Sequence, residues 1–312
     1  MSRYLITGSA GFLGSHLAEA LLESGDEVVG IDAFTDYYAR DLKEANVDRA
    51  RDWSAFSLLE LDLADADLTA LVAAVDGIFH LAAQPGVRGS WGDTFAVYVR
   101  DNILATQRLL EAATHAGVPV VQASSSSVYG NAEAYPTSED TPLHPVSPYG
   151  VSKLACEALA RAYSESFGLD IVSLRYFTVY GPRQRPDMAF SRIVASLLNG
   201  TPFDLFGTGE QSRDFTYVDD AVAATRMAMN GTPRSGVYNV GGGGETTLAE
   251  VIAICERLCG KRLDVRRGPA SPGDVSRTAA DTSLIRSHLG WSPGTTLEQG
   301  LATQVSAAAE RA

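Results

Sequence analysis

The segment Thr7-Gly8-Ser9-Ala10-Gly11-Phe12-Leu13-Gly14 constrains this chain more than any other. Residues 3–7, Arg-Tyr-Leu-Ile-Thr, read as a short buried strand, and Leu17, Ala18, Leu21 and Leu22 give the segment after the glycines an apolar face at helical spacing. A strand that turns through glycines straight into a helix is the setting of a dinucleotide-binding loop. Gly8 would allow the tight turn, Gly11 the close approach of a pyrophosphate and Gly14 the close packing of helix on strand. Phe12 and Leu13 complete the candidate loop at the positive end of the helix. Glycines also serve ordinary turns, so the loop needs a second signal.

The next strand supplies it. Asp26-Glu27-Val28-Val29-Gly30-Ile31-Asp32 ends in an acid 18 residues beyond Gly14. A carboxylate there accepts from both ribose hydroxyls of an adenosine and repels a 2′-phosphate. Ala33 and Phe34 follow, with no arginine to welcome that phosphate, so the expected cofactor is NAD rather than NADP. The alternative for Asp32 is a solvated strand end. Leu59-Glu60-Leu61-Asp62-Leu63 brings Asp62 and the Leu63 amide to where an adenine edge could be read. Gly77-Ile78-Phe79-His80-Leu81-Ala82-Ala83-Gln84 ends in small residues. Leu81, Ala82 and Ala83 would let a cofactor lie against the backbone, although close packing alone would select the same residues.

A second cluster carries chemistry. Ser124-Ser125-Ser126-Ser127-Val128-Tyr129-Gly130 is followed by Tyr149-Gly150-Val151-Ser152-Lys153. Tyr149 and Lys153, four residues apart, project from one face of a helix start. An ammonium beside a phenol favours its ionised form. A serine such as Ser125 could share a substrate hydroxyl with that tyrosine. This is apparatus for taking a proton from a secondary alcohol while hydride leaves its carbon.

Strand-like and helix-like segments alternate through residue 175, which implies a doubly wound parallel α/β sheet of Rossmann type. Helices are expected over about 12–24, 95–116 and 149–167, and strands over 118–123 and 170–175. Beyond Tyr176, prolines at 182, 186, 202, 233, 269, 272 and 293 break the chain into short pieces. The expected division is a cofactor domain over 1–175, with segments near 210–240 returning to it, and a loop-rich substrate lobe over 176–312. The boundary is interleaved, because Tyr238-Asn239-Val240 reads as a strand of the main sheet.

A net charge of -13 argues against nucleic acid or anionic membranes as partners. No apolar run approaches a membrane span, and the N-terminus opens directly into a strand, so the expected location is the cytoplasm. Of three cysteines, Cys255 and Cys259 lie a helical turn apart, but no further Cys or His spacing completes a metal site. Core thiols and no metal are expected.

With the glycine loop, Asp32, Asn102, the serine run and Tyr149/Lys153 in this order, the chain resembles the extended short-chain dehydrogenase/reductase family, and within it the nucleotide-sugar epimerases and dehydratases. The resemblance runs from Thr7 to Asp281. It implies a bound, recycled NAD, contacted also by Tyr149, Lys153 and Tyr176, and a sugar whose C4 hydroxyl gives its proton to Tyr149. Ser125 matches the family's hydroxyl partner of that tyrosine. Dehydratases carry Thr-Asp-Glu before Val-Tyr-Gly, and decarboxylases a Glu immediately before that Val. Here Ser125, Ser126 and Ser127 stand there with no carboxylate. Elimination needs a general acid and base, so C4 epimerisation is favoured. Ser126 and Ser127 are then substrate contacts or packing.

Three segments resemble the uronate branch, the UDP-glucuronate 4-epimerases: Asp36-Tyr37-Tyr38 with Leu42-Lys43, Ala83-Gln84-Pro85-Gly86-Val87-Arg88, and the run from Arg175 to Met188. Pro85 departs from that branch, which has Ala, and neutral-sugar epimerases typically have Asn where Thr178 stands. Oxidising glucuronate at C4 makes a β-keto acid that loses carbon dioxide unless its carboxylate is held away from alignment with the carbonyl. Thr178 and the forked guanidinium of Arg185 suit such a clamp, with Arg88 as a second candidate. Surface salt bridging is the alternative for both arginines. The family match also implies nucleotide contacts from Phe206 for the base, Arg213 for the diphosphate and Asp274 near the ribose, a supporting role for Asn102, and a homodimer through the helices around 95–116 and 149–167. A neutral UDP- or dTDP-hexose 4-epimerase, a decarboxylase and a non-catalytic NAD-binding sensor remain as competing readings.

Overall fold

Alternation builds the first strand of this computed structural model, which describes residues 1–231, 234–269 and 272–311. In β1 (Arg3–Thr7), Tyr4 and Ile6 join one hydrophobic layer and Leu5 the other. A strand so covered on both faces belongs inside an α/β sheet. Next come α1 (Phe12–Glu23), β2 (Glu27–Asp32), α2 (Arg40–Arg51), β3 (Phe56–Glu60), α3 (Thr69–Val72) and β4 (Gly77–His80). The helix expected over 95–116 has three parts: α4 (Phe95–Tyr98), a wide π-helical turn at Val99–Leu104, and α5 (Ala105–Ala116). Then follow β5 (Val120–Ser125), α6 (Pro148–Phe167) and β6 (Ile171–Tyr176). Strand and helix ends fall within one or two residues of their expected places, apart from β3, which stops at Glu60, three residues before Leu63, and β4, which stops at His80, before the small residues that close its segment.

The rest of the chain is shorter and more broken: β7 (Thr178–Tyr180), α7 (Ala189–Asn199), β8 (Phe203–Phe206), β9 (Ser212–Tyr217), α8 (Val218–Asn230), β10 (Gly236–Val240), β11 (Glu245–Thr247), α9 (Leu248–Cys259), β12 (Val265–Gly268), α10 (Ser283–Leu289) and α11 (Leu297–Ala309). The main sheet is parallel, in the order β3-β2-β1-β4-β5-β6-β10. Tyr238 lies opposite Leu174 in it, and α8 packs back on α1. The segment at 212–217 stays out of this sheet. With the β6 edge taken by β10, β9 pairs instead with β7 and β11 in a small three-stranded sheet. A β8-β12 pair completes the lobe.

The strand order reverses between β1 and β4. At such a switch point the flanking crossovers leave on opposite faces, and a crevice opens at the carboxyl ends of the strands. The loops after β1, β2, β4 and β5 all reach it, which fixes where a ligand can sit.

How tightly α1 closes on β1 depends on Gly14, whose added Cβ would lie 2.1 Å from the Gly8 carbonyl oxygen. Helix propensity alone would make Gly14→Ala stabilising by about 1 kcal/mol. Overpacking costs about 1–3 kcal/mol and here meets backbone that cannot rotate away. Gly14→Ala should therefore lower stability in urea unfolding; a gain would show that α1 stands off the loop.

Candidate active site

The crevice is a cleft of about 400 Å³, the size of a small-ligand pocket. Its lining gathers Gly8, Gly11, Phe12, Leu13, Gly14, Asp32, Asp62, Leu63, Leu81, Ala82, Ala83, Ser125, Ser126, Ser127, Tyr149, Lys153, Tyr176, Thr178 and Arg185. Residues far apart in sequence thus meet because each ends a strand or starts a helix at one edge of the sheet.

The cofactor half is set by close backbone approach. Gly8 has φ +71, and a Cβ on it would lie 2.8 Å from the Ala82 nitrogen. Thr7 Oγ1 accepts from that nitrogen at 3.1 Å and bonds His80 Nδ1 at 2.8 Å, while His80 Nε2 meets Thr106 Oγ1 at 2.9 Å. Burial, with the Lys153 charge adding to it, pulls the His80 pKa down to about 3, so the ring is a neutral link between β1, β4 and α5. Helix α1 begins at Gly11 with no side-chain cap and no acid in its first turn. Its leading amides are left for an anion, as a pyrophosphate site needs. Asp32 accepts from the amides of Ala10 at 3.0 Å and Phe34 at 2.9 Å. Burial raises its pKa, against those two bonds and the Lys43 charge, which lower it. Asp62 lines the cleft, but its carboxylate already accepts from Arg100 at 2.8 Å and from the Ala64 amide at 2.9 Å. The Tyr176 hydroxyl is likewise occupied, by Thr225 Oγ1 at 2.6 Å, so this residue offers only its ring and backbone. An uncapped helix start, a ribose-height acid and a small-residue floor fit NAD.

The catalytic half rests on α6. Ser147 caps it by accepting from the Gly150 amide at 3.1 Å, and Pro148 occupies its first turn. That start puts Tyr149 and Lys153 on the cleft side. Lys153 is buried, and its Nζ donates to the Ala123 carbonyl at 2.9 Å, which pins the ammonium under the end of β5. The Tyr149 ring meets Tyr98 edge-on, with centroids 6.2 Å apart. Ser125 Oγ accepts from the Ser127 amide and donates to Ser127 Oγ, both at 3.1 Å, folding the serine run into a tight turn beside them. Asn102, buried in the π turn, accepts from the Gln84 amide at 2.7 Å and donates to Gln84 O and Ser152 Oγ. It ties the Gln84 backbone to the Ser152 side chain on α6.

Beneath the serine run lies a buried polar network. Arg175 and Glu157 pair at 2.7 Å with both side chains about 5% exposed. Ser124 donates to Glu157, Arg175 Nη1 donates to the Tyr129 hydroxyl at 2.8 Å, and that hydroxyl donates to Asn239 at 2.7 Å. The network ties β5, α6, β6 and β10 together.

Arg185 holds Asp187 with two parallel bonds of 3.0 Å, and Tyr37 donates to the same carboxylate at 3.1 Å. Four expected substrate residues stand outside the cleft lining, in a cluster of their own. Arg88 donates to Asp274 at 2.9 Å, and its guanidinium stacks 4.4 Å over the Phe206 ring. It is thereby drawn to Asp274 and Phe206, the residues expected on the nucleotide side, and not to Thr178 and Arg185. Arg213 bonds carbonyl oxygens of Ser212 and Val275, and burial lowers its pKa. Among the described residues no carboxylate lies within salt-bridge distance of it, so this desolvated cation is suited to an anionic ligand.

Sequence reasoning missed Glu157, Asp187, Lys43 and Tyr98. Lys43 and Tyr37 both stand in the run around Asp36-Tyr37-Tyr38 that carried the resemblance, which was the available signal. Among the described residues, no group of three His, Cys, Asp or Glu side chains could hold a metal ion, and no helix is long and apolar enough to cross a membrane.

The model of the NAD dependent epimerase/dehydratase family matches residues 4–241. The chain belongs to that family. This epimerase/dehydratase chain is 41% identical to UDP-glucuronic acid 4-epimerase from Bacillus cereus, solved in complex with UDP-glucuronic acid and NAD, with a TM-score of 0.96 over 99% of this chain and 100% of that one. It is 42% identical to MoeE5, solved with NAD and either UDP-glucuronic acid or UDP-glucose, with TM-scores of 0.90 and 0.89 over 99% of this chain in each case and 100% and 99% of MoeE5. It is 44% identical to the uncharacterized UDP-glucose epimerase YtcB of Bacillus subtilis, over 97% of each chain.

For this family member, Tyr149→Phe removes only the phenolic oxygen and leaves the glycine loop and Asp32 as they are. The variant should keep NAD through purification while turnover falls about 10²–10⁴-fold. Unchanged turnover would remove Tyr149 from the chemistry.

Proposed function

We propose that this NAD-dependent epimerase interconverts UDP-glucuronate and UDP-galacturonate at C4. One juxtaposition carries the reading: Thr178 and Arg185 line the same cleft as Ser125, Tyr149 and Lys153, while Ser126 and Ser127 bring no carboxylate to it. The likeness to the B. cereus epimerase supports it.

Gly8, Gly11, Phe12, Leu13, Gly14, Asp32, Asp62, Leu63, Leu81, Ala82, Ala83 and Tyr176 would hold NAD, with Tyr149 and Lys153 at its reactive end. When bound, NAD supplies the acceptor and later the donor of a hydride. Tyr149 takes the proton of the C4 hydroxyl on its phenolic oxygen, with Ser125 sharing the hydrogen bond and Lys153 fixing the local positive charge. The 4-keto sugar turns over, and Tyr149 returns the proton to the alcohol formed on the other face. Thr178 and Arg185 hold the C6 carboxylate so that the C5–C6 bond stays out of line with the C4 carbonyl, which suppresses decarboxylation. Ser126 and Ser127 contact the sugar without supplying the acid and base that elimination needs. The diphosphate and uridine then lie along Arg213, Arg88, Phe206 and Asp274. On this division residues 1–175 bind chiefly NAD and residues 176–312 chiefly the nucleotide sugar.

A neutral hexose is the nearest rival, favoured by the B. subtilis relative's name and by MoeE5 holding UDP-glucose. Purified protein without added NAD should convert UDP-glucuronate to its galacto epimer faster than it converts UDP-glucose. Arg185→Ala should cut uronate turnover at least tenfold, about 1.4 kcal/mol. Equal rates on both sugars, or an Arg185→Ala enzyme with intact uronate turnover, would sink the clamp. Carbon dioxide and a pentose nucleotide as main products would make the protein a decarboxylase.

We further place the enzyme in the cytoplasm as a homodimer. Cys156, Cys255 and Cys259 are free thiols, in keeping with a reducing compartment. Val97, Leu104 and Val151 expose apolar surface on the two helices implied as the dimer face. Light scattering should give twice the mass of one chain, and Leu104→Glu with Val151→Glu should halve it; a monomeric parent protein would refute this.

A further inference from the structure

Lys43, Lys153 and Arg185 are cationic side chains lining the cleft. Lys153 donates to the Ala123 carbonyl and Lys43 to the Thr35 carbonyl. Arg185 differs, because a carboxylate is already on it. Its Nε meets Asp187 Oδ1 and its Nη2 meets Oδ2, each at 3.0 Å, the bidentate geometry that a substrate carboxylate would use. Tyr37 donates to Oδ2 of Asp187 at 3.1 Å, and the Arg185 guanidinium lies 5.7 Å from the Tyr37 ring centre.

The pair stands on an anchored turn. Arg183, with φ 63, reaches back to Glu19 with bonds of 2.6 and 3.0 Å and to the Asn46 carbonyl at 3.0 Å. Gln184 donates to Val179 O and accepts from the Ser191 amide, both at 3.0 Å, and the Met188 amide closes on the Arg185 carbonyl at 3.1 Å. Both side chains therefore leave a fixed backbone, and Asp187 reaches Arg185 without any loop having to move.

We infer that Asp187 is an internal competitor for the substrate's carboxylate, occupying the fork of Arg185 until a uronate takes it over, and so sets how strongly the site prefers a carboxylate at C6 over a neutral hydroxymethyl. The inference deepens the reading of Arg185 as the C6 clamp and rests on it. A guanidinium paired with Asp187 presents little net charge to the cleft, so a neutral sugar meets no naked cation. A uronate must exchange one carboxylate for another, and Asp187, half-exposed and held by Tyr37, is left beside it as a like charge. Each effect narrows the gap between the two substrates.

The test measures Kd for UDP-glucuronate and UDP-glucose on the NAD-loaded Tyr149→Phe protein, alone and combined with Asp187→Asn or Arg185→Ala. The ratio of the glucose to the glucuronate Kd is the readout, since a merely structural defect weakens both ligands and leaves the ratio in place. Asp187→Asn should raise the ratio about two- to fivefold, the range of a partly exposed ion pair. Arg185→Ala should lower it toward one. An unchanged or lowered ratio in Asp187→Asn, with Arg185→Ala still abolishing the uronate preference, overturns the competitor and leaves the clamp standing. A ratio indifferent to Arg185→Ala overturns both.

Discussion

The ion pair of Glu157 with Arg175 is the interaction on which the rest of the site depends. A charge pair about 95% buried is no cheap source of stability, because desolvation offsets most of its attraction. Its value is geometric. Glu157 lies one helical turn beyond Lys153, and its partner Ser124 lies one residue before Ser125. Arg175 extends the network to Tyr129 and, through Asn239, to β10 and the lobe. Losing either charge would leave the other uncompensated, at a cost of about 3–5 kcal/mol, and would release strand, helix and lobe together. The serine turn and the Tyr149–Lys153 face are thus held in one register by polar bonds under them, which apolar packing could not specify so narrowly.

The other half of the cleft is held by the opposite device, contacts between backbones. Gly8 against Ala82 and Gly14 against Gly8 leave no room for side chains, and Thr7, itself held by neutral His80, satisfies the amide that this closeness buries. The floor is therefore flat and short of competing polar groups. A dinucleotide can lie on such a surface while its phosphates meet the uncapped start of α1.

These two devices explain which parts of the structure could be read in the chain. The glycine loop, Asp32 and the alternating strands are legible because each obeys a local rule of φ, spacing or period, and the sheet order follows once its crossovers share one hand. Tyr149 and Lys153 are legible because a helix start fixes their relation within five residues. Glu157, Arg175 and Asn239 are not: they are paired across 18 and more residues, and nothing local distinguishes Glu157 from a surface glutamate on α6. The π turn at Asn102 escapes for a related reason, since an apolar period interrupted for one turn still reads as an ordinary helix. Arg88 carried a local signal, but its charge partner Asp274 lies 186 residues away and decides where its guanidinium points.

The same limit bears on substrate choice. Thr178, Arg185 and the acid-free serine turn can be identified one by one, and on the proposed reading each bears on how C6 is held and left uneliminated. None says how strongly. That depends on what Arg185 does without a substrate, and it spends two of its N–H groups on Asp187. A clamp that is empty at rest would present a naked cation, favouring a carboxylate strongly over a neutral group. A clamp already filled by its own chain makes a uronate exchange one carboxylate for another of similar chemistry, so its advantage over a neutral sugar is smaller. The resident carboxylate can therefore tune substrate preference without touching Tyr149, Lys153 or the cofactor floor.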